Sequence, residues 1–238
     1  MNLAAKQQQF NAAMELYTSQ ARYAVFGHLV SMANIALQLY LLYRVWPLSI
    51  GPVWQLVALV AAYLLTDFIN GLVHMYMDNN DRYQSIDGPL IANFHLHHKT
   101  PLYKKRNLLV VYYMETGSKV WLVGYLLLVV ALASLFEINS TVLYTLVYIG
   151  ILSSVAEVSH YLCHSSLSPV ALFLARIGLL LTKRHHAPHH LRDNNGYAFL
   201  NGLTDPLLNW IAARCCTGYK QHTDLHYANY IAIDTESR

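Results

Sequence analysis

The chain has 238 residues, which suits a single domain with a sizeable apolar complement. Hydrophobic residues make up 55% and charged residues only 12%, about half the roughly 25% charged share of soluble domains, so the balance points into a membrane. A formal charge of +3 is too small to argue for nucleic acid, and three cysteines (Cys163, Cys215, Cys216) without a C-x-x-C exclude a disulfide framework.

Met1 to Arg22 is a polar, Gln-rich lead, expected to be cytoplasmic. It lacks the short apolar core and small-residue cleavage site of a secretory signal, so the first spanning helix is expected to serve as its own targeting signal. Four apolar stretches read as spans: Tyr23 to Tyr43, Pro52 to Met77, Lys119 to Phe136 and Thr141 to about His164. Each approaches the ~20 residues that cross the hydrocarbon as a helix. His28 interrupts the first span and reads as a helix-packing hydrogen bond. Between the second and third spans lies a long, polar, basic loop from Asn79 to Ser118. Pro169 to Leu181 is too short to span and suits a helix lying in the interface. The expected fold is therefore an all-α integral membrane protein of about four transmembrane helices, with a cytoplasmic His-rich cap and an additional interfacial helix. Its expected division is a lead at 1–22, a membrane domain at 23–215 and a polar cytoplasmic tail at 216–238.

Charge orients these spans. With four of them, every lysine and arginine except Arg44 falls on one side, which the positive-inside rule makes cytoplasmic. An endoplasmic reticulum or a bacterial inner membrane fits equally. Ten histidines collect on that same side: His74, His95, His97, His98, His160, His164, His185, His186, His189 and His190.

Four of these histidines fall in six positions, from His185 to His190, and Pro188 turns the backbone among them. Neutral imidazole is a common ligand for zinc, copper, iron and nickel. In the second span Asp67, His74 and Asp78 share one helical face; in the fourth, Glu157, His160 and His164 do the same. Ionisable groups at such depths are costly and serve pairing, a cofactor or a functional cavity. A structural zinc closes at four ligands, so a set of about eight imidazoles fits two metals. Asp67 and Glu157 stand where they can accept the second ring N–H of a ligand. The plainer alternative has Asp67 capping Asn70 or a tyrosine hydroxyl, and Glu157 pairing with an arginine.

Paired, histidine-ligated iron at a membrane face suits oxygen activation against an unactivated C–H bond of a lipid chain. Reductant must come from outside, because the chain carries neither a G-x-G-x-x-G nor a cysteine set for an iron–sulfur cluster. The basic loops would dock an acidic electron carrier or anionic headgroups, and a solvated positive-inside surface explains them as well. Cys163 reads as packing, Cys215 and Cys216 as a weak lipidation motif, and His222 with His226 as part of a solvated tail.

The ordered set Asp67, Gly71, His74, Asp78, then Phe94, His97, His98, Pro101, then His160, His164, then His185, His186, His189, His190 resembles the Kua/CarF lipid desaturase family. That family includes plasmanylethanolamine desaturase and a plant chloroplast acyl desaturase. Glu115 with Thr116, and Tyr197, Gly202 and Pro206, extend the resemblance over about residues 60–210. It implies a non-haem di-iron, oxygen-dependent desaturase whose best-known reaction makes the vinyl ether of a plasmalogen from a 1-O-alkyl phospholipid. It further implies His74, Asp78, His97, His98, His160, His164, His185, His186, His189 and His190 as metal ligands; Asp67, Glu115 and Glu157 are expected behind them. His95 and Glu157 depart from the family pattern. The implied partners are a membrane phospholipid and an external electron donor, of cytochrome b, ferredoxin-like or flavoprotein reductase type. Desaturation of an acyl chain near its carboxyl end, hydroxylation by the same oxidant, and a non-catalytic His-rich metal protein remain the alternatives. Transport is disfavoured, since transporters place polar residues near mid-bilayer and these sit at one face.

Overall fold

The computed structural model describes residues 3–99, 106–190 and 194–216. Every regular element among them is a helix. The chain runs α1 (Leu3–Ser19), α2 (Ala21–Val45), α3 (Gly51–Asp78), α4 (Gly88–Lys99), α5 (Leu108–Thr116), α6 (Val120–Leu135), α7 (Ser140–Ser165), α8 (Pro169–Arg176), α9 (Lys183–His186) and α10 (Asp205–Cys215), with a 3-10 turn at Ala187–His190 between the last two. The tail beyond 216, with His222 and His226, lies outside the described residues, as do Pro101 and Arg192.

The protein is an all-α integral membrane protein. Three helices, α2, α3 and α7, are long and apolar enough to cross a bilayer. Local chemistry sets their ends. Pro52 opens α3 in its first turn, where a missing N–H costs nothing. Asn139 caps α7 by accepting the Thr141 N–H at 2.9 Å.

The third span differs from the sequence reading. Only Val120–Leu135 is helical there, 16 residues or about 24 Å of rise, short of the ~30 Å hydrocarbon core. The apolar stretch instead continues backwards through α5, bent by 86° from α6, the form of a broken span or of a re-entrant loop. The expected long loop at 79–118 thus carries two helices, α4 and α5. Gly117 lies at the elbow, where a Cβ would stand 2.7 Å from the Gly27 carbonyl oxygen of α2. The interfacial stretch is also shorter than expected, since α8 ends at Arg176 and Gly178 turns the chain at φ +78°.

Packing divides the bundle by depth. At the end away from the histidines, Leu41, Val45, Ala58, Leu122, Leu126, Val129 and Val147 form an apolar core. Tyr43, Trp46 and Phe136 are exposed there, as aromatic residues at a membrane interface are. Toward the histidine end the seams turn polar. Gln38 donates to the Gly150 carbonyl at 3.0 Å and to Ser154 at 2.9 Å, and Asn34 donates to the Lys119 carbonyl at 3.1 Å. Such bonds join helices where burial of apolar surface cannot, because lipid is as apolar as leucine. His28 meets the Tyr113 hydroxyl at 3.1 Å, the helix-packing bond expected of it. Outside the spans, α1 lays Phe10, Ala13 and Met14 against Tyr83, Ile91 and Ala92 of the α4 region.

Replacing Gly117 with valine will push α2 off the elbow and cost about 1–3 kcal/mol. Gly124→Ala, where a Cβ meets nothing within 4 Å, will be neutral or slightly stabilising. Thermal unfolding of the two variants in detergent micelles checks the contrast.

Candidate metal centre

Four segments deliver the histidines to one end of the bundle. On α3, Asp67, Asn70, Gly71, His74, Met75 and Asp78 are all buried, a single face repeating at three and four residues. One turn apart on α7 stand His160 and His164, while α4 brings His97 and His98. The last segment is a compound turn. Thr182 caps α9 by accepting the His185 N–H at 3.1 Å, and the tightening into a 3-10 turn brings the His186 and His189 rings parallel, 5.2 Å apart.

The side chains fall into two groups. His97, His160, His164, His186 and His190 form one, and His74, Asp78, His98 and His189 the other; within each, one ligand atom per residue lies within 4.8 Å of the rest. In the first group the Nε2 atoms follow one another at short range. His164 to His160 is 3.2 Å, His160 to His186 is 3.0 Å, and His186 to His190 is 3.1 Å. Neighbouring nitrogens each about 2.1 Å from one ion stand about 3.0–3.4 Å apart, so these spacings are those of ligands on a shared cation. In the second group the Asp78 carboxylate is the hub. His98 Nε2 is 2.9 Å and His74 Nε2 3.7 Å from its Oδ1, and His189 Nε2 is 3.4 Å from its Oδ2.

Backbone carbonyls set which nitrogen faces inward. The Nδ1 of His74 meets the Tyr197 carbonyl at 2.8 Å, that of His189 the Asn195 carbonyl at 2.8 Å, and that of His190 the His98 carbonyl at 3.1 Å. A carbonyl only accepts, so Nδ1 carries the proton and Nε2 of the neutral ring presents a lone pair. Burial holds the pKa of His97 and of His186 well below the ordinary imidazole range, reinforced by His164 beside the first and His160 beside the second, which favours the neutral form of those two rings. Lone pairs of His74 and His189 therefore face a carboxylate. A cation between them turns that repulsion into coordination, and the donor set fits two metal ions held largely by nitrogen.

Some site residues inferred from sequence stand elsewhere. His185 lies outside both groups; its Nε2 sits 2.5 Å from Asp205 Oδ2, a contact that raises its pKa. His95 is buried between the Tyr83 hydroxyl at 2.7 Å and the Met77 carbonyl at 2.9 Å, and belongs to neither group. Asp67 orients no imidazole directly. Its Oδ1 accepts the N–H groups of Leu200, Asn201 and Gly202, and its Oδ2 accepts both the backbone N–H and the side-chain hydroxyl of Thr204. Its influence reaches His74 through the loop that supplies the Tyr197 carbonyl. Glu157 pairs with Lys119 at 2.8 Å, and Glu115 lies within electrostatic reach of Glu157 and Arg106.

Three participants escaped the sequence reading. Asp205 holds both His185 and, at 2.8 Å, the Ala198 N–H. Its position before Pro206 at a helix start was the available signal. Lys119 looked like the charged boundary of a span, and Phe199 like an ordinary apolar residue; neither had a sequence signal pointing to the site.

Comparison with known proteins gives one family. The model of the lipid desaturase domain matches residues 63–213, which takes in both ligand groups and the loop behind them. No curated protein and no solved structure matches the chain.

Substituting Asp67 with asparagine replaces an acceptor-only group by one that presents N–H toward N–H. Hydrogen exchange at the amides of residues 200–204 will rise at least about tenfold, the equivalent of ~1.4 kcal/mol, and the unfolding temperature will fall.

Proposed function

The chain belongs to the lipid desaturase domain family, and from that premise we propose that it is an oxygen-dependent, non-haem di-iron desaturase that converts a 1-O-alkyl phospholipid into its vinyl ether. The observation that carries this reading is the sorting of eight histidines and Asp78 into two ligand groups at one end of a membrane bundle.

On this reading His97, His160, His164, His186 and His190 hold one iron, and His74, Asp78, His98 and His189 the other. His185 is left outside the set, as a brace on the loop that carries Asp205. Bound iron supplies an oxidant strong enough for an unactivated C–H bond, which acid–base side chains cannot break. The protein's own share is positioning. Carbonyls of Asn195, Tyr197 and His98 keep the ligand lone pairs turned inward. Burial of His74, Asp78, His98, His160, His186 and His189 limits the access of water to that part of the site.

The overall change takes –O–CH2–CH2– to –O–CH=CH–. The chain gives up two hydrogens with their electrons, an external donor supplies two further electrons, water supplies two protons, and dioxygen leaves as two waters. A donor of cytochrome b, ferredoxin-like or flavoprotein reductase type serves this need. The sidedness of the basic residues supports a cytoplasmic histidine end, and the proposed division is a lead at 1–22, a membrane desaturase domain at 23–215 and a tail at 216–238.

Lipid mass spectrometry of a plasmalogen-free host that expresses the chain and is fed 1-O-alkyl phospholipid tests the proposal. The expected product is two hydrogens lighter, cleaved by mild acid, and absent with His186→Ala, while elemental analysis finds two irons per chain. An acid-stable loss of two hydrogens from an acyl chain would move the substrate to acyl lipids. A single tightly held zinc with no product would overturn the reading in favour of a metal-bound scaffold.

A further inference from the structure

A buried charge lies beneath the ligand groups, and metal binding does not account for it. Lys119 is 3% exposed and stands at the start of α6, where the positive end of the helix dipole disfavours an ammonium. Its Nζ donates to Asn70 Oδ1 at 2.5 Å and pairs with Glu157 Oε1 at 2.8 Å, and it sits 4.8 Å from the centre of the Phe199 ring. Asn70 is one turn below His74 on α3, and Glu157 is one turn below His160 on α7. The network therefore lies on the bilayer side of both ligand groups, a placement that usually marks function. The Lys119 Nζ also lies 5.6 Å from the centre of the Trp121 ring, so the ammonium is surrounded by groups of the protein itself.

What it holds is Phe199. This ring touches His74 edge-on at 5.4 Å and His160 at 5.5 Å, one residue from each ligand group. Phe94 and Tyr197 are further non-histidine rings among the described residues, set against His74, His98 and His189. Beneath Phe199 the apolar layer continues through Leu200, Ala156 and Leu181 to Tyr63. Phe199 is thus an apolar ring set against a histidine of each ligand group, at the edge of that apolar layer.

We propose that Phe199, pinned by the Lys119 ammonium between the two ligand groups, is the surface against which the reacting segment of the lipid chain lies, and that it sets which C–C bond is reached. Phe199 is then a specificity-determining residue and Lys119 a positioning residue acting through it. The inference rests on the desaturase reading but adds an address for the substrate that the reading does not contain.

The binding test needs no turnover. Two phospholipid probes, one 1-O-alkyl and one 1-acyl, each carry a photoactivatable diazirine at carbon 3 of the sn-1 chain and are irradiated with the full-length protein in micelles. Peptide mass spectrometry is expected to find the adduct of at least one probe on Phe199 or its neighbours Ala198 and Leu200. Adducts of both probes confined to other segments overturn the proposal even if desaturation is observed. In parallel, Phe199→Leu is expected to keep two irons per chain yet move or scatter the double bond in the product. Lys119→Met, which keeps length and loses charge, is expected to lower kcat/KM about tenfold or more with iron content unchanged, since a misplacement of ~1 Å costs on that scale. An unchanged product position and rate in both variants would also overturn it. Loss of iron in both would reduce the network to a structural floor, and that too refutes the assignment. Absence of product from the unsubstituted protein with two irons bound is a failure of the desaturase reading itself, and is recognised because it precedes any variant.

Discussion

Imidazole lone pairs aimed at a buried carboxylate are unstable unless a cation lies between them, and this constraint organises the histidine end of the molecule. His74 and His189 are turned toward Asp78 because their Nδ1 protons are spent on the carbonyls of Tyr197 and Asn195. Those carbonyls belong to a segment with no helix or strand, 195–204. Asp67 gathers four backbone N–H groups and one hydroxyl from its far end, and Asp205 holds the Ala198 N–H and His185. Two carboxylates that touch no ligand thus decide which ring nitrogen faces inward. A metal site described only by its ligands would omit the part that directs them.

The arrangement also explains why polar groups are graded along the bundle. At the far end packing is apolar and the helix surface meets lipid. Toward the histidines, Gln38, Asn34, Asn70, Ser153 and Ser154 bond across the seams, so helix positions are held by directional contacts. Ligand sets from different helices keep their spacing only if the helices cannot slide. Dispersion contacts between apolar faces tolerate small shifts, whereas a hydrogen bond weakens steeply once its geometry is lost.

Helical periodicity carried much of this arrangement in the sequence. Positions 67, 74 and 78 share a face in any α-helix, as do 157, 160 and 164, and charge sidedness brought four distant histidine groups to one end. Periodicity names the face and not the partner. Asp67 was assigned correctly to the inward face of α3, but its partners are backbone amides more than 130 residues away, and no local signal encodes them. His95 and His97 are two residues apart on α4, so they point in widely different directions. Which of them turns inward depends on the Tyr83 hydroxyl and the Met77 carbonyl, one from the turn after α3 and one from its last helical turn. The 86° elbow was hidden for a similar reason: Leu108 to Leu135 reads as two apolar stretches split by a few polar residues, which describes both a loop and a bent span.

Placing an oxidising centre at a bilayer boundary poses two opposed demands. Metal ligands and an electron donor need the aqueous side, whereas an alkyl chain gains nothing by leaving the hydrocarbon. A wall apolar toward lipid and polarisable toward the ligands meets both demands. An aromatic ring has that character, since its negative face receives a cation while its positive edge meets other rings. Phe199 shows both behaviours, with the Lys119 ammonium near its ring and His74 standing perpendicular to it. A leucine there would fill space but would have no hold on Lys119, and the charge pair with Glu157 would no longer be tied to the ligand layer. The buried ion pair and the ring are best understood as one device: the charge gives an apolar ring a defined position beside the two ligand groups, which packing against lipid alone would leave loose.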